Sequence, residues 1–228
     1  MEVLYKIKKQ IRKLGVERLS PNAFEFELAI KYFSEIANEL LSKKDEKFDY
    51  KSVKNIVDFM INWTYIQGEG IDFKRGFLIK GKTGRGKSFP FKVWLYFLKI
   101  DNIKFLYDGT LKSLDPCFVN VKKISGEYQN PVSGGYPVIE KYSKKLCLII
   151  DDIGKEQEKS KSFGNSINVV EEIINNREES GLLTFGTTNL NSFSEIYDDR
   201  TISRMNKLFT PLSVNHNIDF RITPNLIK

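Results

Sequence analysis

The sequence predicts an α/β fold: a parallel sheet flanked by helices, with a small helical extension at its N-terminal end. Three observations predict it. From Arg75 onward, short apolar runs alternate with helical stretches, the pattern of strands joined by crossover helices. A glycine-rich segment, Gly81 to Ser88, stands between the first of those runs and a helix. Before residue 50 the apolar spacing is helical and strand-like runs are absent.

The elements follow in order. Val3, Leu4, Ile7, Ile11 and Leu14, set among Lys6, Lys8, Lys9, Arg12, Lys13 and Arg18, predict an amphipathic helix with a basic face over 1–18. Ser20-Pro21-Asn22 is a helix-start signal, and Phe24, Leu28, Phe33, Ile36, Leu40 and Leu41 keep a helical period up to the polar break at Ser42 to Lys47. A further helix is expected from Ser52 to about Ile66, before Gly68-Glu69-Gly70. The expected strands are Phe77-Leu78-Ile79, Ile103 to Tyr107, Leu146 to Ile150, Leu182 to Phe185 and Leu208 to Val214. Helices are expected over Lys87 to Lys99 and over Ile167 to Glu179, the latter closed by Gly181 at its C′ position. Ser125 to Tyr136, rich in Gly, Ser, Asn and Pro, reads as a surface loop.

Composition narrows the class. At 228 residues the chain is about 1.5 times a typical domain of ~150 residues, which suggests one domain with an appendage. Hydrophobic residues make up 41%, including 17 Phe and 10 Tyr, enough for a core, so global disorder is excluded. The strongly apolar stretch Leu146 to Ile150 falls far short of the ~20 residues that span a bilayer, so no membrane association is expected, and no signal peptide pattern opens the chain. Two cysteines, Cys117 and Cys147, cannot build a disulfide framework or a four-ligand zinc site. The expectation is a reducing compartment, the cytoplasm. The formal charge of +7 permits contact with nucleic acid or phosphate-rich ligands without naming one.

Gly81-Lys82-Thr83-Gly84-Arg85-Gly86-Lys87-Ser88 fits G-x-x-x-x-G-K-[ST], the Walker A pattern, after an apolar strand and at the start of a helix. Glycines let such a loop wrap a phosphate closely, so that backbone N–H groups and the helix N-terminus bind its oxygens. Gly81 to Ser88, with Phe89 directly after, are therefore the candidate ATP-binding residues. Lys87 would reach the β- and γ-phosphates, and Ser88 would ligate Mg²⁺. Leu146 to Asp152 is an apolar strand ending in two acids, the Walker B arrangement. Asp151 is the metal-side candidate, and Asp152 is placed to orient or deprotonate the attacking water. Cys147 within this strand reads as a small buried hydrophobe. Asp151 to Gly154 also matches the D-x-x-G of GTPases, but Asn206-Lys207 is followed by Leu208-Phe209, with no acid to read guanine. The single His216 lies in a polar turn without catalytic partners.

Further on come Gly186-Thr187-Thr188-Asn189-Leu190, then Arg200 to Arg204 in an R-x-x-x-R box, and Asp219-Phe220-Arg221. With the two Walker elements, this order resembles the AAA+ ATPases over roughly residues 52 to 228. More narrowly, it resembles the helicase loaders of the DnaC type and the transposition helper ATPases of the IstB type. The resemblance implies an AAA+ ATPase domain over 51–228, without a full helical lid, and a basic helical extension over 1–50. It implies that Asn189 is sensor 1, near the γ-phosphate and attacking water, and that Arg204 is a finger reaching a neighbouring subunit's ATP. It implies a sensor-2-like, nucleotide-facing role for Arg221, and a supporting salt bridge for Arg200. A DnaC-like protein would bind a replicative helicase and single-stranded DNA and self-associate through ATP-bridged interfaces. An IstB-like helper would assemble on duplex DNA, and an adaptor would bind ATP and hardly hydrolyse it. The shared ATPase motifs do not separate these. Asp152 stands where AAA+ enzymes commonly carry Glu, which implies slow turnover. Candidate DNA contacts are the segment around Lys122, Lys123 and Tyr128, with an aromatic for base stacking, and Lys155, Lys159 and Lys161.

Overall fold

The computed structural model describes residues 25–42, 46–65, 74–107, 110–155, 160–162 and 165–214. The basic helix expected over 1–18, the start signal at Ser20 to Asn22, and the 68–70 turn lie outside them. Described residues within Met1–Ile71, Thr83–Asp115 and Val214–Lys228 form one compact unit, and those within Asp72–Lys82 and Pro116–Ser213 form a second.

In the first unit, helix α1 (Phe26–Leu41) buries Ala29, Ile30, Phe33, Ile36 and Ala37, an apolar stripe at helical spacing. Helix α2 (Tyr50–Thr64) is started by Asp49, whose carboxylate accepts the Lys51 N–H at 3.1 Å. Both pack on α3 (Ser88–Asp101), the helix that opens at the glycine-rich segment. The contacts are aromatic: Phe33 lies 6.0 Å from Phe97 and 6.1 Å from Phe48, and Trp63 meets Trp94 edge-on at 5.9 Å. The buried Trp94 Nε1–H donates to Thr64 Oγ1 at 2.8 Å, and that hydroxyl donates to the Met60 carbonyl at 2.6 Å, so the indole brings no unpaired donor into the core.

The run Ile103 to Tyr107 does form a strand, β2 (Lys104–Tyr107), but not one of the main sheet. It pairs antiparallel with β3 (Thr110–Ser113), with Leu106 opposite Leu111. The residues of β3 are all exposed. The sheet position is taken instead by β4 (Cys117–Asn120), a short strand of mixed polarity that the apolar pattern did not mark.

The second unit is built on that sheet. Its order is β4, β5 (Cys147–Ile153), β8 (Leu183–Thr188), β1 (Gly76–Lys80), β9 (Phe209–Ser213), and every pair is parallel. β6 (Ser160–Ser162) and β7 (Asn165–Ile167) form a separate antiparallel pair. Helices α4 (Val121–Tyr128), α5 (Tyr136–Ser143), α6 (Val169–Glu179) and α7 (Asp199–Leu208) supply the remaining layer. Leu78, Leu148 and Ile150 from the strands bury against Val121, Ile124, Ile139, Tyr142, Ile173 and Met205 from these helices. Burial of such side chains contributes roughly 1.5–3 kcal/mol each. The loop expected over Ser125 to Tyr136 is therefore partly helix. Ile124 and Tyr128 fall on the buried face of α4, and the turn itself is confined to the residues between α4 and α5.

α6 ends as its sequence predicts. Gly181 takes φ 61° at C′, its N–H donates to Glu178 O at 3.1 Å, and the Leu182 N–H donates to Arg177 O at 3.2 Å, the paired bonds of a Schellman motif. Arg177, in the last turn, is fully buried. Its guanidinium donates to the carbonyls of Tyr142, Ser143, Lys145 and Leu183 and to Thr184 Oγ1, at 2.6–3.2 Å. Burial draws its pKa down from 12.5 to about 10, so it stays charged at neutral pH. One side chain thus ties the end of α5, the end of α6 and the start of β8. Removing it strands several buried acceptors, each costing about 1–3 kcal/mol when unsatisfied. Arg177→Met should therefore lose at least about 3 kcal/mol of stability by urea denaturation, and Arg177→Lys, which cannot fan out to five acceptors, should recover little.

Candidate active site

The glycine-rich segment leaves β1 beside β8, where the Gly81 N–H donates to Thr188 O at 3.2 Å. Its turn then requires glycine at two places: Gly84 has φ 85° and Gly86 φ 71°, a region that side-chain-bearing residues rarely occupy. The Phe89 N–H closes back on Gly86 O at 3.1 Å, and α3 starts at Ser88 with Lys87 at its N-cap. Lys87 is buried, Lys82 and Thr83 are exposed, and Arg85, Ser88 and Phe89 are half-buried. Phe89 lies 6.1 Å from Phe48, which joins the start of α3 to the segment between α1 and α2. Pro90 falls inside the first turn of α3, where its missing N–H costs nothing.

At the other end of the motif set, β5 carries Asp151 and Asp152 into a bulge. Pairing with β8 shifts register between Ile150 and Ile153, and Asp152 takes φ 65°. For a non-glycine residue that conformation is uncommon, although Asp and Asn tolerate it best. The hydroxyl of Thr187 holds the bulge: it donates to Asp151 Oδ1 at 2.8 Å and accepts the Asp152 N–H at 2.8 Å. One residue on, Thr188 Oγ1 donates to Ile153 O at 2.8 Å and accepts the Leu190 N–H at 3.1 Å. Asn189 then reaches Asp152 Oδ1 with its Nδ2 at 3.0 Å. Lys155 Nζ lies 3.1 Å from the same oxygen. From the adjacent strand end, Asn120 Nδ2 lies 3.5 Å from Oδ2 of both Asp151 and Asp152.

Asp151, Asp152 and Asn189 are thus brought together. The partners Thr187 and Asn120 were missed by sequence reasoning. Thr187 stands next to the predicted sensor in Thr-Thr-Asn, but as one of three buried threonines on β8 nothing in the sequence singled it out. Asn120 sits on the strand that was itself overlooked.

Arg204 stands apart from this cluster. On α7 its Nη1 lies 2.8 Å from Glu179 Oε1 and donates to Asn175 O at 3.2 Å, and its Nε lies 3.9 Å from Glu178 Oε2. These partners all belong to α6. Arg200 is exposed at the first turn of α7, so the supporting ion pairs expected of it are made by Arg204 instead. Asp198 caps that turn, and the Thr201 backbone N–H, with the Thr201 hydroxyl and nearby Arg200, holds its carboxyl below the usual carboxylate range. Arg221, His216 and Lys159 lie outside the described residues, as does the side chain of Lys161. Tyr128 is buried in the core of the second unit, which rules it out as a base-stacking platform. No helix among the described residues is long and apolar enough to cross a membrane.

No family model matches the chain, and no curated protein matches its sequence. Solved structures do. DnaI matches at 17% identity with a TM-score of 0.52, covering 76% of this chain and 87% of that one. A candidate primosome component from Streptococcus pyogenes serotype M3 matches at 17% identity with a TM-score of 0.54, covering 79% and 88%. AMPPCP-bound DnaA from Aquifex aeolicus matches at 12% identity with a TM-score of 0.51, covering 78% of this chain and 51% of that one. The chain therefore has an α/β fold, a parallel sheet flanked by helices, similar to the folds of DnaI and DnaA, as its sequence led us to expect.

The bulge yields a test. Thr187→Val keeps the shape of β8 but leaves a buried carboxylate oxygen and a backbone N–H without their partner, a loss of about 1–3 kcal/mol. Thermal denaturation should register that loss in the valine variant, while Thr187→Ser, which keeps the hydroxyl, should recover most of it.

Proposed function

We propose that the chain is an ATP-binding and ATP-hydrolysing helicase-loader-like protein of the DnaC type. The observation that carries this reading is the Asp151–Asp152–Asn189 cluster held by Thr187, in a chain whose Gly81–Ser88 loop has the glycine conformations a phosphate cradle requires. The donor set suits a magnesium nucleotide: backbone N–H groups at a helix start, one lysine, one serine hydroxyl and a carboxylate. In this reading Gly81 to Phe89 hold the phosphates, with Lys87 on the β- and γ-oxygens. Ser88 and Asp151 are the residues that would hold Mg²⁺, which when bound would offset the charge on those oxygens.

Each residue then has a separate task. Asp151, fixed by Thr187, would supply a carboxylate to the metal. Asp152, turned out of the strand by its left-handed backbone, receives the proton of the attacking water or orients it. Asn189 holds the Asp152 carboxylate from the β8 side. A carboxylate one methylene shorter than Glu must bring its backbone nearer to the water, and the φ 65° at Asp152 turns the chain outward at that residue. Arg204 supplies positive charge to a neighbouring subunit's nucleotide, and Arg221 faces its own subunit's nucleotide. The partners in this reading are a replicative helicase, single-stranded DNA and further copies of the chain, with the +7 charge in keeping with a polyanion. Work in the cytoplasm follows from those partners.

Two variants test the ATPase. Lys87→Ala should abolish ATP binding, measured by fluorescent-nucleotide titration, with an unchanged circular dichroism spectrum. Asp152→Asn keeps a residue that tolerates the same backbone conformation and should bind ATP normally while its turnover falls at least about 100-fold, the scale of general-base losses. Wild-type turnover in Lys87→Ala would refute the phosphate-site assignment, and loss of binding in Asp152→Asn would show that both acids serve the metal.

The trans role of Arg204 has its own test. Mixing Arg204→Ala with Lys87→Ala should restore part of the activity that each lacks alone, because the mixture contains interfaces with one intact phosphate site and one intact arginine. The gain should be larger with single-stranded DNA present. A mixture as inactive as its components, both folded and co-assembled, would refute it.

A further inference from the structure

On its own subunit, Arg204 is not a free arginine. Its guanidinium is bonded to the Glu179 carboxylate and the Asn175 carbonyl, and lies against the Glu178 carboxylate, with the side chain only 13% exposed. All three acceptors belong to the last two turns of α6. Two further polar contacts join α6 and α7: Thr201 Oγ1 donates to Glu171 Oε1 at 2.8 Å, and Lys207 Nζ lies 3.3 Å from Glu178 Oε1. With Nη1 committed to Glu179 and Asn175 and Nε facing Glu178, a phosphate on a second copy of the chain must compete with the α6 acceptors for this guanidinium.

We infer that the α6 carboxylates Glu178 and Glu179 are a built-in restraint on self-assembly, holding Arg204 at home until a second subunit's nucleotide outcompetes them. The inference rests on the trans role proposed for Arg204 above. It is favoured by how weak the home attachment is. Glu179 is 61% exposed, and pairs of that kind shift an equilibrium by at most about fivefold each. The restraint therefore raises the concentration at which copies assemble without preventing assembly. Lys207 remains beside Glu178 once Arg204 leaves, so that carboxylate is not abandoned without a cation. Glu179 is exposed enough to be rehydrated.

The experiment is sedimentation velocity of the full chain with Mg²⁺ and the non-hydrolysable analogue AMPPCP, over a range of protein concentrations. Glu179→Gln should assemble at a concentration about two- to fivefold lower than wild type, and Glu178→Gln/Glu179→Gln at one lower still, about tenfold below wild type. Adding Arg204→Ala to either should erase the gain. If wild-type assembly depends on Arg204 but the glutamine variants assemble no more readily, the α6 contacts are packing alone and the restraint is refuted, with the trans role intact. If neither wild type nor variants assemble with the analogue, or if Arg204→Ala assembles as well as wild type, the trans role fails and the restraint with it. Should the double variant fail to fold by circular dichroism, Glu179→Gln alone decides, since that side chain is largely in solvent.

Discussion

One hydroxyl holds the end of β5 in place. Thr187 Oγ1 binds the side chain of Asp151 and the backbone of Asp152 at once, and so joins β8 to a strand whose ladder has just slipped by a residue. Without that bridge the two acids would follow the alternation of an ordinary strand and point to opposite faces. With it, Asp151 stays buried and Asp152 swings into a left-handed conformation within reach of Asn189. The strain of that residue, of order 1–3 kcal/mol, is similar in size to what the hydroxyl's two bonds contribute. The local conformation therefore depends on its neighbours, and β8 cannot be separated from β5 without losing the arrangement of both acids.

The same unit handles two of its arginines in opposite ways. Arg177 is sealed among carbonyls and a hydroxyl, and burial lowers its pKa to about 10. Its full set of acceptors makes the buried charge tolerable, and moving it would strand all of them together. Arg204, one helix away, is held mainly by carboxylates, one of them largely in solvent. Screening and rehydration make that attachment cheap to break.

In the first unit, aromatic side chains tie the region of α1 to the helix that follows the glycine-rich segment. Phe33 and Phe48 of the α1 region pack on Phe97 and Phe89 of α3, and α3 begins at the last residues of the glycine-rich segment. The aromatic contacts are worth about 0.5–1.5 kcal/mol each beyond their buried area, enough to make the α1 region part of this core. A change at the start of α3 would reach α1 through side chains in contact, with no need for a long-range mechanism.

Much of this was determined by the sequence alone. Strands and helices alternating after Arg75, the glycine-rich turn, the paired acids and the C′ glycine at 181 are local patterns, read within a few residues of themselves, and the fold contains each of them. Which strands join the sheet was not local. Ile103 to Tyr107 is more apolar than Cys117 to Asn120, yet the latter fills the edge beside β5, because a strand's place depends on its hydrogen-bonding neighbour as well as on its hydrophobicity. For the same reason Tyr128, in a stretch whose composition reads as a loop, turned out to be core. Only the tertiary structure could assign Thr187 and Asn120 to the acids and Arg204 to Glu178 and Glu179, since each of those pairs is separated by about 25 to 36 residues in the chain. Sequence names the groups that carry charge, and only packing decides which of them meet, because hydrogen bonds and ion pairs act over a few ångströms whatever the distance along the chain.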